Sequence, residues 1–124
     1  FGPTKDRNFS KDTNRKMRQK ALCVALSEKL RAEKLRIVDT FSFESRKTKD
    51  FSVFLEKLGA RPGKALLGFS GSERDVERMS RNIEKTTNIL SENMSAYDLL
   101  NHEYLVVTKE TIDMLAARFP EKKA

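Results

Sequence analysis

Tryptophan is absent from this 124-residue chain, and there is one cysteine, three prolines and five glycines. Cys23, the lone cysteine, cannot close an internal disulfide, which points to a reducing compartment. With His102 as the single histidine, a closed tetrahedral metal shell cannot be assembled either, and no metal or cofactor is expected. Cys23 falls inside a helical pattern and reads as a small half-buried residue. His102 sits in Asn101-His102-Glu103, between a helical and a strand pattern, without a nucleophile or an orienting acid in a recognisable arrangement. It reads as a loop histidine. No apolar run approaches the ~20 residues of a spanning helix, and no signal-like stretch opens the chain, so no membrane partner is expected. The glycines make no phosphate cradle. Gly68 and Gly71 are spaced G-F-S-G, short of both the three-glycine dinucleotide pattern and a Gly-Lys-Ser/Thr ending. Ser70, Gly71 and Ser72 read instead as a turn and a helix cap.

Charge, by contrast, is plentiful and uneven. Charged residues make up 35% of the chain against 38% hydrophobic, a balance that still supports one globular domain. The formal net charge is +7, and the first twenty residues hold most of it. There Lys5, Arg7, Lys11, Arg15, Lys16, Arg18 and Lys20 face only Asp6 and Asp12, so seven cations less two acids leave +5. A gradient this steep on a small domain points to a polyanion, most often nucleic acid.

Residues 1–13 have no apolar period and read as an extended basic arm, with a single α/β domain over 14–124. Phe1-Gly2-Pro3 lacks an initiator Met and reads as the middle of a longer protein. From Asn14 to Glu33, Met17, Ala21, Leu22, Ala25, Leu26 and Leu30 trace a helical stripe that Thr13 or Asn14 can cap. Leu35–Asp39 reads as a strand, followed by a loop holding Phe41, Phe43 and Arg46. Lys47–Leu58 is helical, with Phe51, Phe54, Leu55 and Leu58 inward, and stops at Gly59 and Pro62. Lys64–Ser70 reads as a strand covered on both faces. A charged helix over Glu73–Ile83 turns Val76, Met79 and Ile83 inward. Thr86–Leu90 and Tyr104–Thr108 are further strands around a short helix at Ser95–Leu100, with Ser95 as its cap. Lys109–Phe119 closes the pattern, with Ile112, Leu115, Ala116 and Phe119 on one face, before a polar end at 120–124. Strands alternating with helices build βαβ units. The expected fold is therefore a three-layer α/β/α domain with a central, mainly parallel four-stranded sheet.

The basic arm could be a mere solvated tail. Against that, the cations continue onto the first helix beside its apolar stripe, and a rigid face next to an arm can follow phosphates over a long path. Lys47 and Lys49 at the next helix start, and Arg81 near a later helix end, extend the candidate set; Arg81 could instead cap its helix. Most of the eight phenylalanines are at core spacing, which leaves Phe9 and Phe41 as candidates for base stacking. The rival readings are a small α/β domain binding a phosphorylated ligand near Gly68–Ser72, and a module whose basic face meets acidic proteins.

Five ordered motifs add a resemblance over nearly the whole chain. Phe1-Gly2-Pro3 with its basic sequel, Asn14-Arg15-Lys16-Met17-Arg18 running into Ala21-Leu22 and Ala25-Leu26-Ser27, Lys47-Thr48-Lys49-Asp50-Phe51, Ser80-Arg81-Asn82-Ile83, and Tyr97-Asp98-Leu99-Leu100-Asn101-His102 are quoted in chain order. Together they resemble the bacterial-type large-subunit ribosomal protein family called L four. The resemblance implies an α/β domain bound to large-subunit ribosomal RNA and to neighbouring ribosomal proteins, without enzymatic activity. It implies a cytoplasmic ribosome, with an organellar one left open. It also implies a preceding N-terminal portion and a long basic loop towards the peptide exit tunnel, neither complete in these residues. The charged stretch from Glu73 to Arg81 departs from the family's pattern.

Overall fold

The structure, a computed structural model, describes residues 1–119; the polar end expected at 120–124 lies outside them. Residues 1–14 carry no helix or strand. The elements that follow are α1 (Arg15–Arg31), β1 (Leu35–Val38), α2 (Thr48–Lys57), β2 (Ala65–Phe69), α3 (Arg74–Ser80), β3 (Thr86–Leu90), α4 (Ala96–Asn101), β4 (Tyr104–Thr108) and α5 (Lys109–Ala117), with a single 3-10 turn at Ser91–Asn93. The sheet order is β1-β4-β2-β3 and every pairing is parallel.

Alternation along the two central strands divides the core. On β2, Ala65, Leu67 and Phe69 face a cluster with Phe51 and Leu55 of α2 and Met79 of α3. Leu66 faces the other side, with Leu105 and Val107 of β4, Leu22 and Ala25 of α1, Leu99 of α4 and Leu115 of α5. Thus α2 and α3 cover one face, and α1, α4 and α5 the other, which is the three-layer arrangement the alternation predicts. All five residues of β2 are buried, as its continuous apolar run requires. Gly68 fits the backbone between layers: a Cβ there would lie 2.8 Å from Val107 Cγ1 and 2.9 Å from Met94 Cε.

Local signals set the ends. Ser95 caps α4 in a full capping box with Asp98. Gly59, at φ 69°, turns the chain out of α2. Asn14 occupies the N-cap position of α1, but its side chain makes no capping bond. Ser72 does not cap α3; Glu73 holds that position.

Several burial expectations are corrected. On α1 only Leu22 and Ala25 are buried and Leu26 half-buried, whereas Met17, Ala21 and Leu30 are exposed. The spacing fits a helix, but α4 is only six residues long and packs on α1 over a short length. Cys23 is exposed, not half-buried, because it lies off the seam formed by Leu22 and Ala25. Ala116 is exposed too, while Thr111 is buried through its bond to Thr108. Phe41 is no free stacking surface: it lies 5.3 Å from the Phe69 ring and 5.8 Å from Phe51, inside an aromatic cluster with Phe43 and Phe54.

Candidate nucleic-acid interface

Every residue from Phe1 to Asn14 is exposed, so Lys5, Arg7 and Lys11 stand in solvent. The Arg7 guanidinium lies 4.9 Å over the ring of Phe9, which is itself 75% exposed. A flat cation on an aromatic plane is a surface suited to phosphate and base alike.

Helical geometry splits the four cations that follow. Arg15, Arg18, Leu22 and Ala25 are spaced by three and four, so both arginines lie on the side of α1 that becomes buried one turn later. Lys16 and Lys20 point away from that side and are exposed. Near the start of α1 a groove of about 600 Å³ opens, lined by Arg15, Arg18, Leu22, Met94, Tyr97 and Arg118 among others, with no Asp or Glu among its lining residues. Arg118 is committed inside the fold, donating to the carbonyls of Ser91 at 2.9 Å and Met94 at 3.0 Å. Gln19 Nε2 donates to the Arg118 carbonyl at 3.3 Å.

The other end of α1 is fastened by Lys29. Its ammonium donates to the carbonyl of His102 and, at 2.9 Å, to that of Glu103. Partial burial, reinforced by the Lys34 charge, pushes Lys29 below the ordinary lysine range against the opposing pull of Glu103. His102 is a buried loop histidine, with Nδ1 2.8 Å from the Asp98 carbonyl. No hydroxyl, thiol or second base completes a catalytic set around it among the described residues.

Lys47 and Lys49 are exposed at the start of α2. The neighbouring Arg46 pairs with Asp75 in the first turn of α3 at 3.5 Å. They therefore share the carboxyl edge of the sheet with the start of α1, but belong to the layer on the other face. Arg81 is the C-cap residue of α3, close to the start of β3 and so at the opposite edge. The candidate cations thus form one continuous group over positions 5–20 and two outlying ones. The exposed Tyr97 and the structural Arg118 and Lys29 carry no local sequence signal, since each matters through residues far away in the chain.

Around Gly68–Ser72 the crevice is filled by the protein's own acids. The Ser70 and Ser72 hydroxyls donate to Glu110 at 3.2 and 3.3 Å, and the Ser70 amide donates to Glu73 at 2.9 Å. Two carboxylates already stand where a phosphate would need donors, which counts against a phosphorylated ligand there. Among the described residues no group of His, Cys, Asp and Glu could hold a metal ion, and every buried side-chain nitrogen or oxygen has a partner.

The profile of the ribosomal protein L4/L1 family matches residues 1–118. The chain is similar to proteins named large ribosomal subunit protein uL4: 34% identical to that of Desulforapulum autotrophicum over 119 residues, 96% of this chain and 56% of the relative. It is 38% identical to that of Desulfosudis oleivorans over 118 residues, 95% of this chain and 56% of the relative. With that of Chlorobaculum tepidum it shares 35% over 115 residues, 93% and 55% respectively. The chain spans about half the length of the curated relatives it matches.

Proposed function

This chain belongs to the ribosomal protein L4/L1 family, and from that premise we propose that it is a non-catalytic constituent of the large ribosomal subunit that binds ribosomal RNA. Binding runs through the arm, residues 1–13, with Lys5, Arg7 and Lys11, and through the first turns of α1 with Arg15, Lys16, Arg18 and Lys20. Lys47, Lys49 and Arg81 add separate phosphate contacts. Neighbouring ribosomal proteins complete its surroundings, on a cytoplasmic ribosome.

One observation carries this reading. Among the described residues there are five ion pairs, and their cations are Arg31, Lys34, Arg46, Arg61 and Lys109. None comes from the first twenty positions. The segment with +5 of the formal +7 therefore leaves its charge uncompensated within the fold. Such cations gain by meeting phosphates, because each neutralised phosphate releases about one condensed counterion. Recognition of this kind works by shape and backbone contact.

The test is the affinity of the chain for large-subunit ribosomal RNA over a range of salt concentrations. Log affinity should fall against log salt with a slope of several units. A flat response would refute the reading.

A further inference from the structure

We propose that the groove between the first turns of α1 and the segment Asn93–Tyr97 accepts one unstacked nucleotide of a single-stranded stretch of RNA, with its base against Tyr97 and its phosphate beside Arg15 and Arg18. The inference rests on the RNA-binding reading above and gives it a subsite.

The groove has two chemical halves. Leu22 and Met94 supply an apolar floor, and Tyr97, 74% exposed, stands beside it. A large exposed ring next to an apolar floor is a surface suited to stacking a base. The other half is cationic. Arg15 and Arg18 make no ion pair among the described residues, and no acid lines the groove. That combination selects a ligand with a flat, weakly polar face attached to an anion. A nucleotide is such a ligand. Planar guanidinium groups suit phosphate oxygens, which they can hold by two parallel hydrogen bonds.

Size and rigidity agree with this. A volume of about 600 Å³ is within the range of small-ligand sites and leaves no room for a duplex. Bases of an intact A-form helix are stacked away, so the occupant is a loop, bulge or strand end. The walls are fixed before binding: Arg118 holds the carbonyls of Ser91 and Met94, and Gln19 ties α1 to the Arg118 carbonyl. A preformed groove binds at lower entropic cost than one assembled on contact. An acidic peptide would satisfy the arginines but leave the platform without a planar partner, so RNA is the better match.

The test uses the intact chain, a short mixed-sequence single-stranded RNA and a blunt RNA duplex of equal length. Tyr97→Ala should weaken single-strand binding about tenfold, the loss of one stacked base, and leave the salt slope and duplex affinity unchanged. Tyr97→Phe should bind like the parent. Arg15→Gln with Arg18→Gln should lower the single-strand salt slope by about one. Because Tyr97 is exposed, all Tyr97 variants should melt with the parent, which separates binding from folding. Single-strand affinity unchanged in Tyr97→Ala, or lost equally in Tyr97→Phe, would overturn the inference. So would a Tyr97→Ala protein that keeps its RNA affinity but loses association with a large-subunit protein, since the groove would then be a peptide site. Salt-dependent RNA binding that survives either result leaves the broader function standing; an intact chain with none overturns both.

Discussion

Glu110, in the first turn of α5, accepts a hydrogen bond from the hydroxyl of Ser70 at the end of β2, 3.2 Å away and forty positions apart in sequence. The bond closes the carboxyl end of the central strands, the place where open α/β sheets usually bind ligands. In this open parallel sheet the crevice at that edge is filled by an acid of the protein itself.

In a Tyr97→Ala, Arg15→Gln, Arg18→Gln chain, which lacks the groove contacts proposed above, nucleotides and inorganic phosphate should therefore leave the melting temperature unchanged. A ligand present at a hundred times its dissociation constant adds about 2.7 kcal/mol, enough to move a domain of this size by several degrees. A shift of that size in this variant with any nucleoside phosphate, measured by differential scanning fluorimetry, would restore a ligand site at Ser70–Glu110.

Leu22→Ala should cost about 2–5 kcal/mol, and Leu30→Ala within about 0.5 kcal/mol. Both lie on the stripe read from sequence, but Leu22 is 3% exposed and Leu30 64%. Urea denaturation of the two proteins would separate them; equal midpoints would contradict the observed packing of α1.

How far the sequence could be read follows from such pairs. The strands were legible because two of them, Ala65–Phe69 and Tyr104–Thr108, are buried on both faces and write that into continuous apolar runs. The cap at Ser95 was legible because its partner Asp98 is three residues away. The extent of burial on α1 was not, since Met17 and Leu30 fit the helical period as well as Leu22, and only the reach of other elements decides among them. Phe41 was misread for the same reason: its partners Phe51, Phe54 and Phe69 come together through tertiary packing. The basic segment was visible as charge, whereas the groove needs residues 15–22 beside 93–97, a juxtaposition without a local signal.

Gly68→Ala should destabilise by about 1–3 kcal/mol, because its Cβ would meet Val107 and Met94 below 3.0 Å. A shorter side chain at position 94 gives way on one side, so Met94→Ala should recover part of what Gly68→Ala loses. Additive losses in the double variant, read from thermal unfolding, would show that the contact with Val107 alone decides the cost.

Lys29 gives an unusual pH response. Its value lies below the 10.5 of an unhindered lysine, chiefly through burial. The unfolded chain thus holds this proton more tightly, and the charge on Lys29 opposes folding at neutral pH. That penalty is relieved as pH rises from the lowered folded value towards 10.5. Lys29→Met should be destabilised at neutral pH, since the His102 and Glu103 carbonyls lose a donor, and its deficit relative to the parent should widen over that alkaline window. A deficit that narrows would reverse the assigned sign.

Deleting residues 1–13 removes Lys5, Arg7 and Lys11 with Asp6 and Asp12, three cations less two acids, a net change of one. Neutralising Arg15, Lys16, Arg18 and Lys20 removes four. If summed charge governs RNA affinity, the helix variant suffers far more; if local phosphate contacts govern it, the two losses are comparable. We expect comparable losses, measured as dissociation constants at one salt concentration. An arm deletion that binds like the parent would leave α1 as the principal contact.

The strand order has a consequence for how the protein is made. β4 lies between β1 and β2, so among the described residues β1 has no strand neighbour until β4 arrives. A chain emerging from its own synthesis can pair β2 with β3, while β1 waits through more than sixty residues for β4. The sheet therefore completes from the inside once β4 has emerged, and a stalled product ending before Tyr104 should be cut by protease where one that includes β4 and α5 resists.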